Sequence, residues 1–80
     1  MNVPGFNHIA VTPGLLSGKP HVVGTRISVE HVLELLADGA TADDFAQGWP
    51  EVTPDVVAEV LRYAAGAVAR ERVFTGARAG

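Results

Sequence analysis

The chain has no cysteine, one methionine, one tryptophan and one tyrosine. The missing thiols exclude a disulfide framework and any zinc site built on thiolates. Aromatic residues are only 6% of the chain, so Trp49 and Tyr63 are the only non-phenylalanine platforms on which a base could stack. No apolar run approaches the roughly 18 residues that a membrane helix needs. Met1-Asn2-Val3-Pro4 lacks the basic start and apolar stretch of a signal peptide, so a cytoplasmic protein without a membrane partner is expected. There are no internal repeats and no low-complexity tract. Length is the last scarcity. Eighty residues allow one small domain with a modest core, so a second copy or a partner is expected to add stability. Little room is left for a deep catalytic cleft.

What is present is apolar enough to fold. Hydrophobic residues make up 48% and charged residues 19%, a composition unlike that of disordered chains. The net charge of −3 hides a strong segregation. Between Ile27 and Leu61 there are eight acids and no base. All six bases, Lys19, Arg26, Arg62, Arg70, Arg72 and Arg78, lie outside that stretch, opposed there only by Glu71. The middle therefore carries −8 and the two ends together +5. Two readings follow. The acids can be a solvated helix surface, or the molecule can be dipolar, meeting an anionic partner with one side and a basic partner with the other.

Residues 1–27 read as an extended N-terminal unit. Pro4 and Gly5 make the first eight residues a loose start, and Ile9-Ala10-Val11 is a short strand candidate. Thr12-Pro13-Gly14 and Gly18-Lys19-Pro20 are turn signals. In His21-Val22-Val23-Gly24-Thr25-Arg26-Ile27, β-branched residues flank one glycine, which predicts an extended segment with a kink or bulge, or two very short strands. From Ser28 the period changes. Val29, Val32, Leu33 and Leu36 share one helix face. Ser28 can cap the start, and Gly39 suits the left-handed position after the end. Thr41 and Asp44 have capping-box spacing, so a second, short helix starts near Ala42 with Phe45 as its anchor. Gly48-Trp49-Pro50 stops it. Thr53-Pro54-Asp55 is the strongest helix start in the chain. Val57, Val60, Leu61, Ala64 and Val68 form its predicted buried stripe, with Asp55, Ala58, Glu59 and Arg62 facing outward. This third helix is expected to reach about Arg70, and residues 71–80 read as a flexible tail. The fold class is mainly α: a three-helix, helix-turn-helix-like core (homeodomain- or winged-helix-like) over residues 28–70, with a short N-terminal β unit. Such a helix pair can place its second member in a DNA major groove.

Motifs for chemistry are weak. Gly14-Leu15-Leu16-Ser17-Gly18-Lys19 is one residue short of a phosphate loop, and Pro20 stands where a magnesium-binding hydroxyl belongs. His8, His21 and His31 show no metal-ligand spacing. Asp43 and Asp44 are adjacent, so on a helix they point in different directions and do not make a catalytic pair. No cofactor, metal or catalytic residue is expected, and the chain is not read as an enzyme. Trp49 is expected to close the core over a turn, and Tyr63 to make a core or dimer contact. Gly24-Thr25-Arg26 is the most distinctive local feature. Its arginine either neutralises a phosphate or ties the extended unit to an acid such as Glu30.

Taken in order, these residues resemble a known family. Gly18-Lys19-Pro20-His21-Val22-Val23-Gly24-Thr25-Arg26-Ile27-Ser28-Val29 is similar to the hallmark of the domain-of-unknown-function 433 family. Leu35-Leu36, Gly39, Thr41 with Asp43-Asp44, Trp49-Pro50, Thr53 with Asp55-Val56, and Leu61 with Tyr63-Ala64 follow in the family's order. The resemblance spans Ile9 to about Ala65. His21 and Ser28 depart from it, standing for a usually apolar residue and a usual proline. The resemblance implies a small prokaryotic helix-turn-helix-like domain, often dimeric, that acts as an antitoxin for a PIN-like ribonuclease toxin. It brings no list of functional residues.

The expected function is therefore an antitoxin that masks such a toxin and binds operator DNA as an autoregulator. The alternative is a protein-interaction module of the same shape without DNA binding. Lys19, Arg26, Arg62, Arg70 and Arg72 are the candidate phosphate contacts, and Asp43 and Asp44 the candidate partner contacts. Exposed acids on the third helix count against DNA on that face. A homodimer is expected from the small size, the high apolar fraction and unpaired strand edges.

Overall fold

The computed structural model describes residues 1–71. Arg72, Arg78 and nearly all of the expected tail lie outside the described residues. Strand β1 (Ile9–Ala10) pairs antiparallel with β2 (His21–Val22), Ile9 opposite Val22 and Ala10 opposite His21. Single bridges extend this ladder on both sides, from Asn2 to Ala10 and from His21 to Ser28. Four chain segments thus run side by side through Asn2, Ala10, His21 and Ser28. Each contributes too few residues to be a stable sheet alone. The unit holds because Ile9, Val22 and Ile27 are buried against the helices.

The first eight residues are not the loose start that Pro4 and Gly5 suggest. The Val3 amide donates to the Ile9 carbonyl at 2.8 Å, and the Val11 amide to the Met1 carbonyl at 3.0 Å. The Asn2 side chain donates to the Asn7 carbonyl at 3.0 Å. Pro4 and Gly5 make the turn of this arch.

The three helices start where their caps predict. Helix α1 spans Val29–Ala37, with the Ser28 hydroxyl accepting from the His31 amide. Gly39, at φ +93°, follows it in the conformation a side chain resists. Helix α2 spans Ala42–Gly48 and opens on a reciprocal capping box between Thr41 and Asp44. Helix α3 spans Pro54–Arg70, with Thr53 as cap and proline at its first position. Phe45 anchors α2 in a core shared with Val29 and Val32 of α1 and Val56 and Val60 of α3. Trp49 lies half-buried over the turn after α2, edge-on to His31 with ring centroids 5.5 Å apart. Tyr63 meets Phe6 of the arch in the same manner, also at 5.5 Å. The fold is three helices with a two-stranded antiparallel N-terminal sheet, the mainly helical, helix-turn-helix-like architecture expected.

One face was misassigned by periodicity. The inward residues of α3 are Val56, Glu59, Val60 and, half-buried, Tyr63. Leu61 is 49% exposed and Val68 67%. The buried stripe is thus turned away from the predicted one, and Glu59, expected outside, is inside. The cause is a run of apolar doublets, Val56-Val57, Val60-Leu61 and Ala64-Ala65. They offer two stripes of equal period, so spacing cannot choose between them.

Candidate functional site

Glu59 is the one buried carboxylate among the described residues, 6% exposed. Both of its oxygens are used by one residue. Oε1 accepts from the His8 amide at 2.9 Å, and Oε2 meets His8 Nδ1 at 2.8 Å. An ionised carboxylate can only accept, so Nδ1 carries a proton. Burial pushes the Glu59 carboxyl upward, but the His8 hydrogen bonds and the charges of His8 and Arg62 outweigh it, and the net shift is below the ordinary carboxylate value. The pair ties the N-terminal arch to the middle of α3. His8 keeps half its side chain in solvent. Neither residue stood out in the sequence. The signal that could have found Glu59 is its place at i+3 from Val56 and i−4 from Tyr63, on the true core face.

His21 is buried and fully partnered. Its Nδ1 donates to the Val22 carbonyl at 3.0 Å, and its Nε2 meets the Thr12 hydroxyl at 2.9 Å. It is a packed hairpin residue that uses its polar atoms locally. Among the described residues, no three His, Asp or Glu side chains gather closely enough to hold a metal ion.

Gly24-Thr25 has a structural explanation. The Thr25 amide and hydroxyl both donate to the Val22 carbonyl, at 3.1 and 2.9 Å, and the same hydroxyl accepts from the Ile27 amide at 3.1 Å. Gly24 sits between them at φ +82°, where a turn of this kind needs glycine. Arg26 is left exposed. It does not tie to Glu30, which pairs instead with Lys19 at 3.1 Å. The Gly14–Lys19 loop is not a phosphate cradle either. The Gly18 and Lys19 amides turn back onto the Leu15 and Leu16 carbonyls at 2.9 and 3.0 Å, so neither points at an anion.

The expected phosphate contacts are spread along the fold. Lys19 lies beside α1, Arg26 in the turn before it, Arg62 in mid-α3 and Arg70 at the α3 end. All four are exposed; Lys19 lines a groove beside α1 that includes none of the three arginines. Asp43 and Asp44 are both exposed at the α2 start, but they differ. Asp44 is consumed by the capping box, its carboxylate accepting from the Thr41 amide at 2.8 Å. Asp43 is free of such a task.

The acids of the middle stretch are, with the exception of Glu59, open to solvent. Glu30, Glu34, Asp38, Asp43, Asp44, Glu51 and Asp55 are all exposed. Glu30 and Glu34 also edge an open apolar groove of about 450 Å³, whose walls include Pro20, Val29, Leu33 and Ala37. A second, smaller hollow of about 160 Å³ lies between α1, α2 and the α3 start, lined by Leu36, Phe45 and Val57 among others. Its Val57 is half-buried and packs against the core.

The comparison with protein families decides the kinship. The family described as "Protein of unknown function (DUF433)" matches residues 9–64, more than half of the chain. The chain belongs to the DUF433 family. No curated protein and no solved structure matches it. In this DUF433 chain the match begins at β1 and ends within α3, so it covers the hairpin, the Gly24 turn, α1, α2 and the first part of α3. Among the described residues, no helix is long and apolar enough to cross a membrane.

Proposed function

We propose that this DUF433 chain is the antitoxin half of a toxin–antitoxin pair, acting in the cytoplasm by covering the cationic face of a PIN-like ribonuclease toxin. One observation carries the reading: seven of the eight acids between Ile27 and Leu61 face solvent. A ribonuclease must present positive potential to hold RNA, and a dense acidic surface can occupy it in place of RNA. Asp43 belongs to that surface. Asp44 does too, but its capping role makes it an unsuitable residue for a charge-reversal test.

Operator DNA is the weaker part of the reading. Exposed Arg26, Arg62 and Arg70 and the helix order support it. Against it, α3 opens with exposed Asp55, close to exposed Glu51, and phosphate repels both. A homodimer is proposed through the partly exposed α3 stripe. Val57, Leu61, Ala64 and Val68 are spaced 4-3-4, the pattern of a coiled-coil seam.

The test is affinity capture of the full chain from its native cells, with mass spectrometry, followed by growth rescue in cells expressing the captured nuclease. A small nuclease at near-equal stoichiometry, neutralised by the chain, is the expected result. Co-elution of sequence-enriched DNA without any protein partner would overturn the antitoxin reading in favour of a stand-alone regulator.

A further inference from the structure

The charge pattern of α1 works against the helix that carries it. Glu30, Glu34 and Asp38 recur at four-residue steps, so each is a like-charged neighbour of the next along one edge. Glu34 and the C-capping Asp38 also sit at the negative end of the helix dipole, where anions are disfavoured. No base stands in the last turn of α1. Lys19 relieves Glu30 alone, across 3.1 Å. Among the described residues, Glu34 and Asp38 take part in no ion pair and in no side-chain hydrogen bond. Among the described residues, nothing in the fold uses these two carboxylates.

Glu34 borders a groove with a largely apolar floor, and Asp38 follows four residues on, just past the end of α1. Val29, Leu33 and Ala37 line the groove at i, i+4 and i+8, with Pro20 closing one side. Three such levels span about 12 Å along α1, or roughly two turns of a helix laid beside it. Leu33 packs on the core from below and remains half-open above. The polarity of the groove is set as well. Lys19 stands at the N-terminal end of α1, and the unpaired acids lie toward the C-terminal end.

We propose that this groove docks a basic amphipathic helix of the partner protein. Its apolar side chains at i, i+3 or i+4 and i+7 would seat on Val29, Leu33 and Ala37, and its Lys or Arg residues would meet Glu34 and Asp38. Lys19 repels cations at the other end and so fixes the direction of the docked helix. That the helix belongs to a toxin rests on the antitoxin reading above; the site and the chemistry of its occupant do not.

The probe is a synthetic helical peptide of Leu and Lys in amphipathic order, compared with a Leu/Glu peptide of the same pattern. Binding to the full chain is measured by fluorescence anisotropy and mapped by amide chemical shifts. The Leu/Lys peptide is expected to bind at least about tenfold tighter than its acidic twin. The largest shifts should fall on Val29–Asp38. Glu34→Lys and Ala37→Arg should each weaken it by about tenfold. Both positions are exposed and helical, so thermal melts should show both variants folded. Equal affinity for the two peptides, shifts centred on α3, or undiminished binding by the folded variants would overturn the proposal. The antitoxin reading is judged separately. If the Glu34→Lys chain captures and neutralises the nuclease as well as wild type, the groove fails and the antitoxin stands. If wild type binds the peptide in the groove but captures no nuclease, the reverse holds.

Discussion

Replacing Glu59 by glutamine tests whether the arch is held to α3 by an ionised carboxylate. The shape is kept, and one oxygen can still accept from the His8 amide. The other position becomes an NH₂ group facing His8 Nδ1, which in the wild type holds a proton at 2.8 Å from Oε2. That proton must leave Nδ1 before the new amide can donate. Two charge-assisted bonds become, at best, two neutral ones. A bond to a charged group contributes about 1.5–3 kcal/mol and a neutral one about 0.5–1.5. Water reaches the half-exposed His8 ring and screens that half of the pair. The net loss is then about 1–1.5 kcal/mol, and in a domain of this size each kcal/mol lowers Tm by about 4–8 °C. The pH dependence has a definite sign. The folded-state pKa of Glu59 is lowered, so its contribution is complete above the unfolded carboxyl value of about 4.3 and is lost as pH falls through the lower folded value. Urea melts of wild type and Glu59→Gln should therefore differ near neutral pH and converge below about pH 4. A gap that stays constant down to about pH 3, or no gap at neutral pH, would show that the charge on Glu59 does not hold the arch.

Four other substitutions separate the roles of surface charge, cap and apolar stripe. Glu34→Lys should stabilise the chain by about 1 kcal/mol at low salt, because two like-charged pairs become opposite and a cation joins the dipole's negative end; a lower urea midpoint would contradict this. Asp44→Ala should cost about 1 kcal/mol through loss of the capping box, whereas Asp43→Ala should stay within about 0.5. Equal effects in chemical denaturation would remove the distinction between the two. Leu61→Glu should leave the fold melting as before, since Leu61 is half-exposed, but convert a dimer to monomer in sedimentation equilibrium. Wild type that is already monomeric at micromolar concentration refutes the α3 dimer.

Local chemistry was legible wherever a residue acts on its own neighbours. Ser28, Thr41 with Asp44, and Thr53 with Pro54 each cap a helix within three residues, and each helix starts where its cap stands. Gly39 ends α1 for an equally local reason. The family, too, was legible from the ordered set of short motifs. What depended on distant packing was not. Which of two apolar stripes on α3 turns inward depends on contacts distant in sequence, with Val29, Val32 and Phe45 in the core and with the arch at His8, 51 residues from Glu59 along the chain. Sequence spacing holds no information on that choice, so Glu59 was placed outside and Leu61 inside. The arch itself was hidden for the same reason: Pro4 and Gly5 signal a turn, but only Ile9 and Ala10 show what the turn folds back upon. Among the candidate contacts, Arg26 was left open between two partners, and the structure removes Glu30 from it by giving that acid to Lys19.

The rotation of α3 bears directly on the choice between DNA and protein as partner. With Val56, Glu59, Val60 and Tyr63 turned inward, the exposed residues that follow the N-terminal Pro54 over its first three turns are Asp55, Ala58, Leu61 and Arg62. That is one acid, one base, one methyl and one half-exposed leucine. A helix reading base edges sits between two phosphate backbones and draws its affinity from cations along its flanks. Here a single arginine would have to offset an aspartate, and Glu59 cannot help by accepting from a cytosine, because His8 already holds both of its oxygens. The same four residues suit a protein interface well, where an apolar centre and a sparse polar rim are the usual composition. Protein partners on α1 and α3 therefore account for more of this surface than an operator does. If the chain nonetheless binds its upstream DNA specifically, exposed Arg26, Arg62 and Arg70 are the first candidates for the contacts, and their joint replacement by alanine should reduce the salt dependence while leaving nuclease capture intact.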